Sequence, residues 1–154
     1  MAADIVLHAV RKGREAMKTK TAPDIDALIA EAVPPRPNPQ LSLTIPVRVV
    51  SEANTREHWG KKFARKKGQQ EALRVAWKKA AKKLPRPVAV PCVVRFTRIG
   101  PQKLDDDNLA GGFKGCRDAV AHEIGINDGS ELIRWEYAQV AVGKRVYGVR
   151  IEVY

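Results

Sequence analysis

Cysteine, aromatic residues and long apolar runs are all scarce in this chain. Its 154 residues include only two cysteines, Cys92 and Cys116, which are far apart and belong to no CxxC or histidine pair. This spacing excludes the usual zinc-ligand patterns and a disulfide framework, so we expect both to be reduced core thiols. Aromatic residues make up 6% of the chain, and no strand shows the stacking pattern of an RNA-recognition sheet, which disfavours an RNA-binding module.

The chain also lacks membrane-directing segments and an excess of acid. No apolar run reaches the ~18 residues of a transmembrane helix, and the hydrophobic stretch near the N-terminus is too short for a signal peptide. We therefore expect a cytoplasmic protein with no membrane partner. Lys and Arg number 28 against 17 Asp and Glu, giving a formal net charge of +11. A chain this basic favours a polyanionic partner, nucleic acid first, over a small-molecule substrate.

The sequence divides into two segments. Residues 1–40 are predicted to form a helical arm, with a basic amphipathic helix ending near Lys20 and a second helix in DIDALIAEAV. The linker PPRPNP follows, where proline stops the helix and stiffens the connection. Residues 41–154 are predicted to form one domain. The composition allows the arm to dock on the domain, to mediate assembly or to bind DNA, and docking or assembly is favoured.

Four strands are predicted in the domain. Residues 41–50 alternate in polarity, and Pro46 predicts an edge strand or a bulge. Residues 89–100 form a continuous apolar run, which is typical of a buried strand. The alternating runs 132–142 and 145–154 are expected to pair as a hairpin.

Two helices are predicted between these strands. The first covers about residues 61–84, and its apolar side is spaced near the helical period: Phe63, Leu73, Trp77, Ala80 and Leu84. Its cations, with Glu71 as the one acid among them, are Lys61, Lys62, Arg65, Lys66, Lys67, Arg74, Lys78, Lys79, Lys82 and Lys83. The second helix runs from Leu109 and stops at Gly125. The resulting order predicts a small mixed β-sheet with packed helices, of the α/β or α+β class.

An acidic cluster, DDDNL, directly follows the predicted buried strand. In an extended segment Asp105 and Asp107 would point to the same face. Such a repulsive pair is relieved by a hard divalent cation such as Mg²⁺, and Asp128 in a later turn is a candidate third oxygen donor. Alternatively, Asp107 or Asn108 caps the following helix and the residues around Asp128 form an ordinary turn.

These motifs together resemble the signature of the RusA family of Holliday junction resolvases, in particular its phage-borne branch. The family pattern is Asp-x-Asp-Asn-Leu, a helix with Lys four residues before Asp-Ala, and a further Asp in a turn before a strand. Here it falls on Asp105, Asp107, Asn108, Leu109, Lys114, Asp118, Ala119 and Asp128. About three inserted residues precede Lys114, and in a continuous helix they would leave it near the same face. Asn127 stands where the family often has an acid.

The resemblance covers roughly residues 41–142 and implies a RusA-like fold and a specific activity. It implies a homodimeric, Mg²⁺-dependent endodeoxyribonuclease that resolves four-way DNA junctions by paired nicks, with Mn²⁺ expected to substitute for Mg²⁺. Asp105, Asp107 and Asp128 would be the metal ligands and, together with Lys114, the catalytic residues. Asp118 is expected to make a structural bond, either to the neighbours of Arg117 or to a helix partner. The setting implied is DNA recombination and repair in a bacterial host, with a phage or prophage origin.

A DNA-binding surface is predicted in the loop and first turns of the basic helix. Its candidate residues are Asn54, Arg56, His58, Lys61, Lys62, Arg65, Lys66 and Lys67. Trp77 and Trp135 are expected in the core, whereas Trp59 fits either the core or a stacking contact with bases. Two alternative functions remain open: a non-catalytic basic DNA-binding or architectural protein, with the aspartates as caps, or a less selective metal-dependent nuclease for flaps, single strands or RNA.

Overall fold

Helices and strands alternate along most of the chain. The structure, a computed structural model, describes residues 24–34, 36–53 and 56–154. In these ranges the elements are α1 (Ile25–Ala32), β1 (Leu41–Ile45), α2 (Trp59–Ala81), β2 (Cys92–Gly100), α3 (Asp106–Gly112), α4 (Lys114–Ile124), β3 (Ile133–Ala141) and β4 (Gly148–Val153). They confirm the predicted α/β class. The predicted arm helix ending near Lys20 lies outside the described residues, and none of the described helices is both long and apolar enough to span a membrane.

The four strands form one mixed sheet in the order β1-β4-β2-β3. β2 and β3 are parallel, whereas β4 is antiparallel to both β1 and β2. β1 is an edge strand that ends before Pro46, as predicted, because proline has no N–H to donate to a neighbouring strand. The predicted hairpin of the last two strands is wrong. The helical crossover from β2 places β3 on one side of β2, and β4 fills the gap between β2 and β1.

One face of the sheet packs against α2, α3 and α4. Leu73 and Trp77 of α2 are buried, as predicted, but Phe63 is 62% exposed and does not belong to the buried side. Gln69 takes a buried position instead, because its side-chain amide donates to the Arg48 carbonyl at 2.7 Å. A polar residue can be buried at low cost when such a partner is present.

Stacked rings fill the centre of this core. The Phe96 ring lies 5.0 Å from Phe113, 5.8 Å from Trp135 and 6.2 Å from Tyr137, centroid to centroid. Phe96 and Phe113 are fully buried, and full burial of such a side chain contributes about 1.5–3 kcal/mol to stability. Trp135 is partly buried and packs against this core.

Both cysteines are buried and free, which confirms that they are core thiols. Burial raises the pKa of Cys92, and it raises the pKa of Cys116 to about 12. Neither thiol is therefore activated as a nucleophile.

The helix predicted from Leu109 is divided in two. α3 ends at Gly112 and α4 begins at Lys114, with Phe113 as the cap between them. α4 stops at Gly125, as predicted, because this glycine adopts the left-handed conformation (φ 86°) that closes a helix.

The second arm helix, α1, docks on the opposite face of the sheet. Ile29 is 1% exposed there, and Asp26 pairs with Arg150 of β4 at 2.8 Å and accepts from the Thr44 hydroxyl at 2.6 Å. Burial alone would raise the pKa of Asp26, but the hydrogen bonds from Thr44 and Arg150 lower it by a larger amount. The pKa is therefore below its ordinary value of 3.8. Docking on the domain is thus confirmed for this helix.

Candidate functional site

The three aspartates lie at the beginning of α3. Asp105 is the N-cap: its backbone is extended, and its Oδ1 accepts from the Asn108 amide at 2.9 Å. Asp106 and Asp107 occupy the first turn, and all three carboxylates are exposed. The prediction of an extended segment with Asp105 and Asp107 on one face is wrong, because the backbone is already helical at Asp106. Carboxylates at this end also interact favourably with the helix dipole.

Two side chains from the sheet hold the segment that leads into α3. The Gln139 amide brackets Leu104, accepting from its N–H at 2.8 Å and donating to its carbonyl at 2.6 Å. Arg98 donates to the Gln102 carbonyl at 2.8 Å and to the Val49 carbonyl at 2.9 Å. Burial lowers the pKa of Arg98, but an arginine still carries its charge at neutral pH. The aspartates are therefore carried by a segment that is fixed to β2 and β3.

The loop after β1 packs directly on α3. The Ser51 hydroxyl donates to Asn108 Oδ1 at 2.6 Å. A Cβ added at Gly112 would stand 2.7 Å from the Val50 carbonyl oxygen, which is closer than such atoms approach in proteins. Only glycine lets the two backbones come this near. The Asn of the Asp-x-Asp-Asn-Leu motif is thus tied to the preceding loop.

Asp128 lies in the turn before β3. Its carbonyl accepts from Trp135 Nε1 at 2.9 Å, and its Oδ2 is 3.7 Å from the Arg117 guanidinium. Within the described ranges, no three His, Cys, Asp or Glu side chains are grouped closely enough to share a metal ion. The three-carboxylate site stays a prediction.

Arg117, for which the sequence predicted no role in the site, connects Asp128 to the core. Its guanidinium lies 5.1 Å from the centre of the Trp135 ring, a cation–π contact. Burial raises the pKa of the neighbouring Tyr137 hydroxyl, and Arg117 partly opposes this shift. The sequence carries a signal for this role, since Arg117 lies four residues after Phe113 and so adjoins the buried stripe of the helix.

Lys114 opens α4 and lines a cleft of about 260 Å³ between α2 and the α3–α4 junction. We call this the Lys114 cleft, and its lining residues are Glu52, Lys62, Phe63, Lys66, Gln69, Gly111, Gly112, Lys114 and Gly115. The continuous helix that would keep Lys114 near the face of Asp107 is interrupted at Phe113, so the role of Lys114 stays a prediction. Lys114 instead faces the cations of α2 across the cleft.

Two of the predicted DNA-contacting cations already have anionic partners. Arg65 pairs with Glu52 at 3.2 Å and with Glu57 at 2.6 Å. Lys66 pairs with Asp118 at 2.9 Å, which confirms Asp118 as a structural bond to a helix partner. Although α2 itself has only one acid, neighbouring segments supply carboxylates, so part of its charge is neutralised locally.

The other predicted DNA-contacting residues differ in their contacts within the protein. Within the residues that the structure covers, no carboxylate pairs with the exposed cations Arg56, Lys61 and Lys67. Lys62 donates to the Glu52 carbonyl at 3.0 Å. His58 is the N-cap of α2, where its Nδ1 accepts from the Gly60 amide at 3.2 Å. Asn54 lies outside the described residues.

No protein-family model matches the chain, and no curated protein does. The resemblance to the RusA family therefore rests on the motif residues alone. What the geometry brings together is an exposed acidic turn, fixed to the sheet, and a basic helix with a cleft beside it.

Proposed function

We propose that this protein is a Mg²⁺-dependent, structure-selective endodeoxyribonuclease that cuts four-way DNA junctions by paired nicks. The observation that carries the proposal is the beginning of α3, where Asp105, Asp106 and Asp107 are exposed in a chain of net charge +11. An exposed acidic cluster on a basic protein suits a metal ion that acts on a phosphate backbone. The order of the motif residues and their resemblance to the RusA family support the same activity.

The donor atoms at this turn fit Mg²⁺. Mg²⁺ prefers hard oxygen ligands and is usually held by one or two carboxylates together with substrate phosphates and water. Asp105 uses one oxygen for its capping bond, which leaves the other for a metal, and Asp107 is exposed. In this proposal Asp105 and Asp107 hold the ion, and Asp128, whose Oδ2 lies 3.7 Å from the Arg117 guanidinium, is the third candidate donor. When bound, Mg²⁺ or Mn²⁺ supplies an activated water and neutralises charge on the phosphate.

The protein's own residues then position the DNA. The bond from Ser51 holds Asn108 and keeps the acidic turn against the β1–α2 loop. Lys114 places a positive charge in its cleft, where a phosphate oxygen would be stabilised. The exposed cations of α2 attract the backbone without reading sequence. A homodimer related by a two-fold axis would present two such sites to a junction with the same symmetry, giving paired nicks.

The capping hydrogen bond of Asp105 favours a second candidate function. Asp105 serves as an N-cap, which is a sufficient structural reason for one of the aspartates. A non-catalytic DNA-binding or architectural protein would need nothing more from this turn. It predicts DNA binding that is independent of Mg²⁺ and no cleavage, whereas a less selective nuclease predicts cleavage of duplexes, flaps or RNA as well.

The test compares two neighbouring acids on two substrates. Wild type, Asp107→Asn and the control Asp106→Asn are incubated with a labelled four-way junction or a matched linear duplex, with and without Mg²⁺. Both residues lie in the first turn of α3 and both are exposed, but only Asp107 belongs to the motif. We expect paired nicks in the junction alone, retained in Asp106→Asn and reduced at least ~100-fold in Asp107→Asn while binding persists.

Each other outcome contradicts part of the proposal. Tight binding by wild type without Mg²⁺-dependent nicking would replace it with the architectural function. Equal cleavage of junction and duplex would remove the structure selectivity. Equal loss in the two variants would mean that the turn acts through its total charge and not through a ligand at Asp107.

A further inference from the structure

Two large aromatic side chains stand exposed at the beginning of α2. Trp59 is 73% exposed and Phe63 is 62% exposed. They are four residues apart in one helix, so both rings lie on the same face about one turn from each other. A single exposed apolar residue is common on a protein surface. Two large exposed rings that lie side by side indicate a contact surface.

The helix end that carries these rings is held in place. His58 caps α2 through its bond with the Gly60 amide, and its ring lies 5.5 Å from the Trp59 ring at a tilt of 38°. Trp59 is thus the first residue of a helix of 23 residues and not part of a loop. A ring presented from a rigid element loses little conformational entropy when a partner stacks on it.

Positive charge surrounds the pair. Arg56, Lys61 and Lys67 are exposed on the same stretch, while the nearby acids Glu52 and Glu57 are engaged by Arg65. Cations that bind phosphates beside aromatic faces that stack on bases are the combination found where single-stranded nucleic acid binds. A protein partner of ordinary composition would gain from the rings but not from the cations.

The rings also adjoin the Lys114 cleft. Phe63 lines this cleft together with Lys62, Lys66 and Lys114. If a base of a DNA strand lies on the Phe63 ring, the phosphate of that nucleotide would be within reach of a cationic cleft. Phe63 thus belongs both to the aromatic pair and to the lining of the cleft.

We propose that Trp59 and Phe63 form a base-stacking site that binds unpaired bases of DNA. The choice of DNA as the nucleic acid rests on the proposed function, but the stacking itself does not require cleavage. At a four-way junction the site would take bases opened near the branch point. It would add a preference for unpaired DNA to a surface whose charges alone do not distinguish DNA structures.

The test measures binding in the absence of divalent metal, so that no cleavage occurs. Dissociation constants are determined by fluorescence anisotropy for a short thymidine oligonucleotide and for a duplex of equal phosphate number, using wild type, Trp59→Leu and Phe63→Leu. Leucine keeps an apolar side chain but removes the ring. The matched control is Val75→Ala, since Val75 is 61% exposed on the same helix, about 18 Å along the axis from Phe63.

We expect each leucine variant to lose about tenfold in affinity for the oligonucleotide, as removal of a stacking partner does elsewhere. Affinity for the duplex should change by less than about twofold, as for other surface substitutions, and so should both affinities of the Val75 control. The salt dependence of binding should be unchanged, because the phosphate contacts remain.

Two results would overturn the stacking site. If both leucine variants bind the oligonucleotide as wild type does, the rings do not stack on bases, and nicking of the junction by wild type would still support the nuclease. If the variants change the sedimentation mass of the protein, the rings form a contact between copies of the chain. Ring-dependent binding by a wild type that never nicks DNA would support the stacking site and reject the nuclease.

Discussion

Gly111 and Gly112 are neighbours in α3 whose surroundings differ completely. A Cβ added at Gly111 would meet no atom within 4 Å, whereas at Gly112 it would stand 2.7 Å from the Val50 carbonyl oxygen and 2.9 Å from a Val49 methyl. Alanine at either position gains up to about 1 kcal/mol of helix preference. At Gly112 the overpacking costs about 1–3 kcal/mol, because a backbone oxygen cannot rotate away. The common helix term cancels in the comparison, so Gly112→Ala should be less stable than Gly111→Ala by about 1–3 kcal/mol.

Urea unfolding measures this difference directly. The two alanine variants are unfolded beside wild type, and equal m-values would show that only stability has changed. We expect Gly111→Ala at or above the wild-type midpoint and Gly112→Ala below it. Equal midpoints for the two variants would refute the close contact between the loop after β1 and α3, and with it the seating of Ser51 on Asn108.

Three further predictions concern groups held by the fold. Arg98→Met leaves two loop carbonyls without their donor, and we expect the free energy of unfolding to fall by about 1–3 kcal/mol in urea titrations; an unchanged midpoint would contradict a stabilising role for these two hydrogen bonds. In a Cys92→Ala variant, Cys116 should react with a thiol reagent only after unfolding, because burial raises its pKa to about 12; reaction of the folded protein would contradict that burial. The pKa of Asp26 is lowered from 3.8 in the folded chain, so its carboxylate stabilises the fold at neutral pH and this contribution is lost as the pH falls through the lowered pKa. The stability difference between wild type and Asp26→Asn should therefore close in acid, and a difference that persists there would refute the linkage.

Local patterns predicted the individual elements well. The observed α2, Trp59–Ala81, differs from its predicted bounds by two or three residues. β2, which is predicted to be a buried strand, is an interior strand that pairs in parallel with β3. Gly125 ends α4, as predicted. These features depend on the residues within each segment, which is why a single sequence contains them.

Strand pairing was not predictable in the same way. Alternating polarity in the last two strands was compatible with a hairpin, and it says nothing about which strand becomes the neighbour. β4 is nearly fully buried because it pairs on both sides, yet Arg150 and Glu152 interrupt its apolar run. Its central position therefore has no clear mark in the sequence.

The acidic turn shows the limit for the site. An Asp-rich segment before an apolar run fits an extended metal-binding strand and a capped helix equally well, since both use the same residue types. The bond from Asp105 to the Asn108 amide decides the conformation. The distance of Asp128 from this turn depends on how β3 follows the two helices, which no local motif encodes.

The most direct test of the central claim is single-turnover nicking of a labelled four-way junction in Mg²⁺ by Asp105→Asn. Asparagine caps a helix about as well as aspartate, so this change preserves the cap while removing a charged metal ligand. If the turn holds a catalytic metal, we predict unchanged stability and DNA binding with nicking reduced at least ~100-fold. If Asp105→Asn nicks the junction as fast as wild type, Asp105 is only a helix cap and the proposed metal site is wrong.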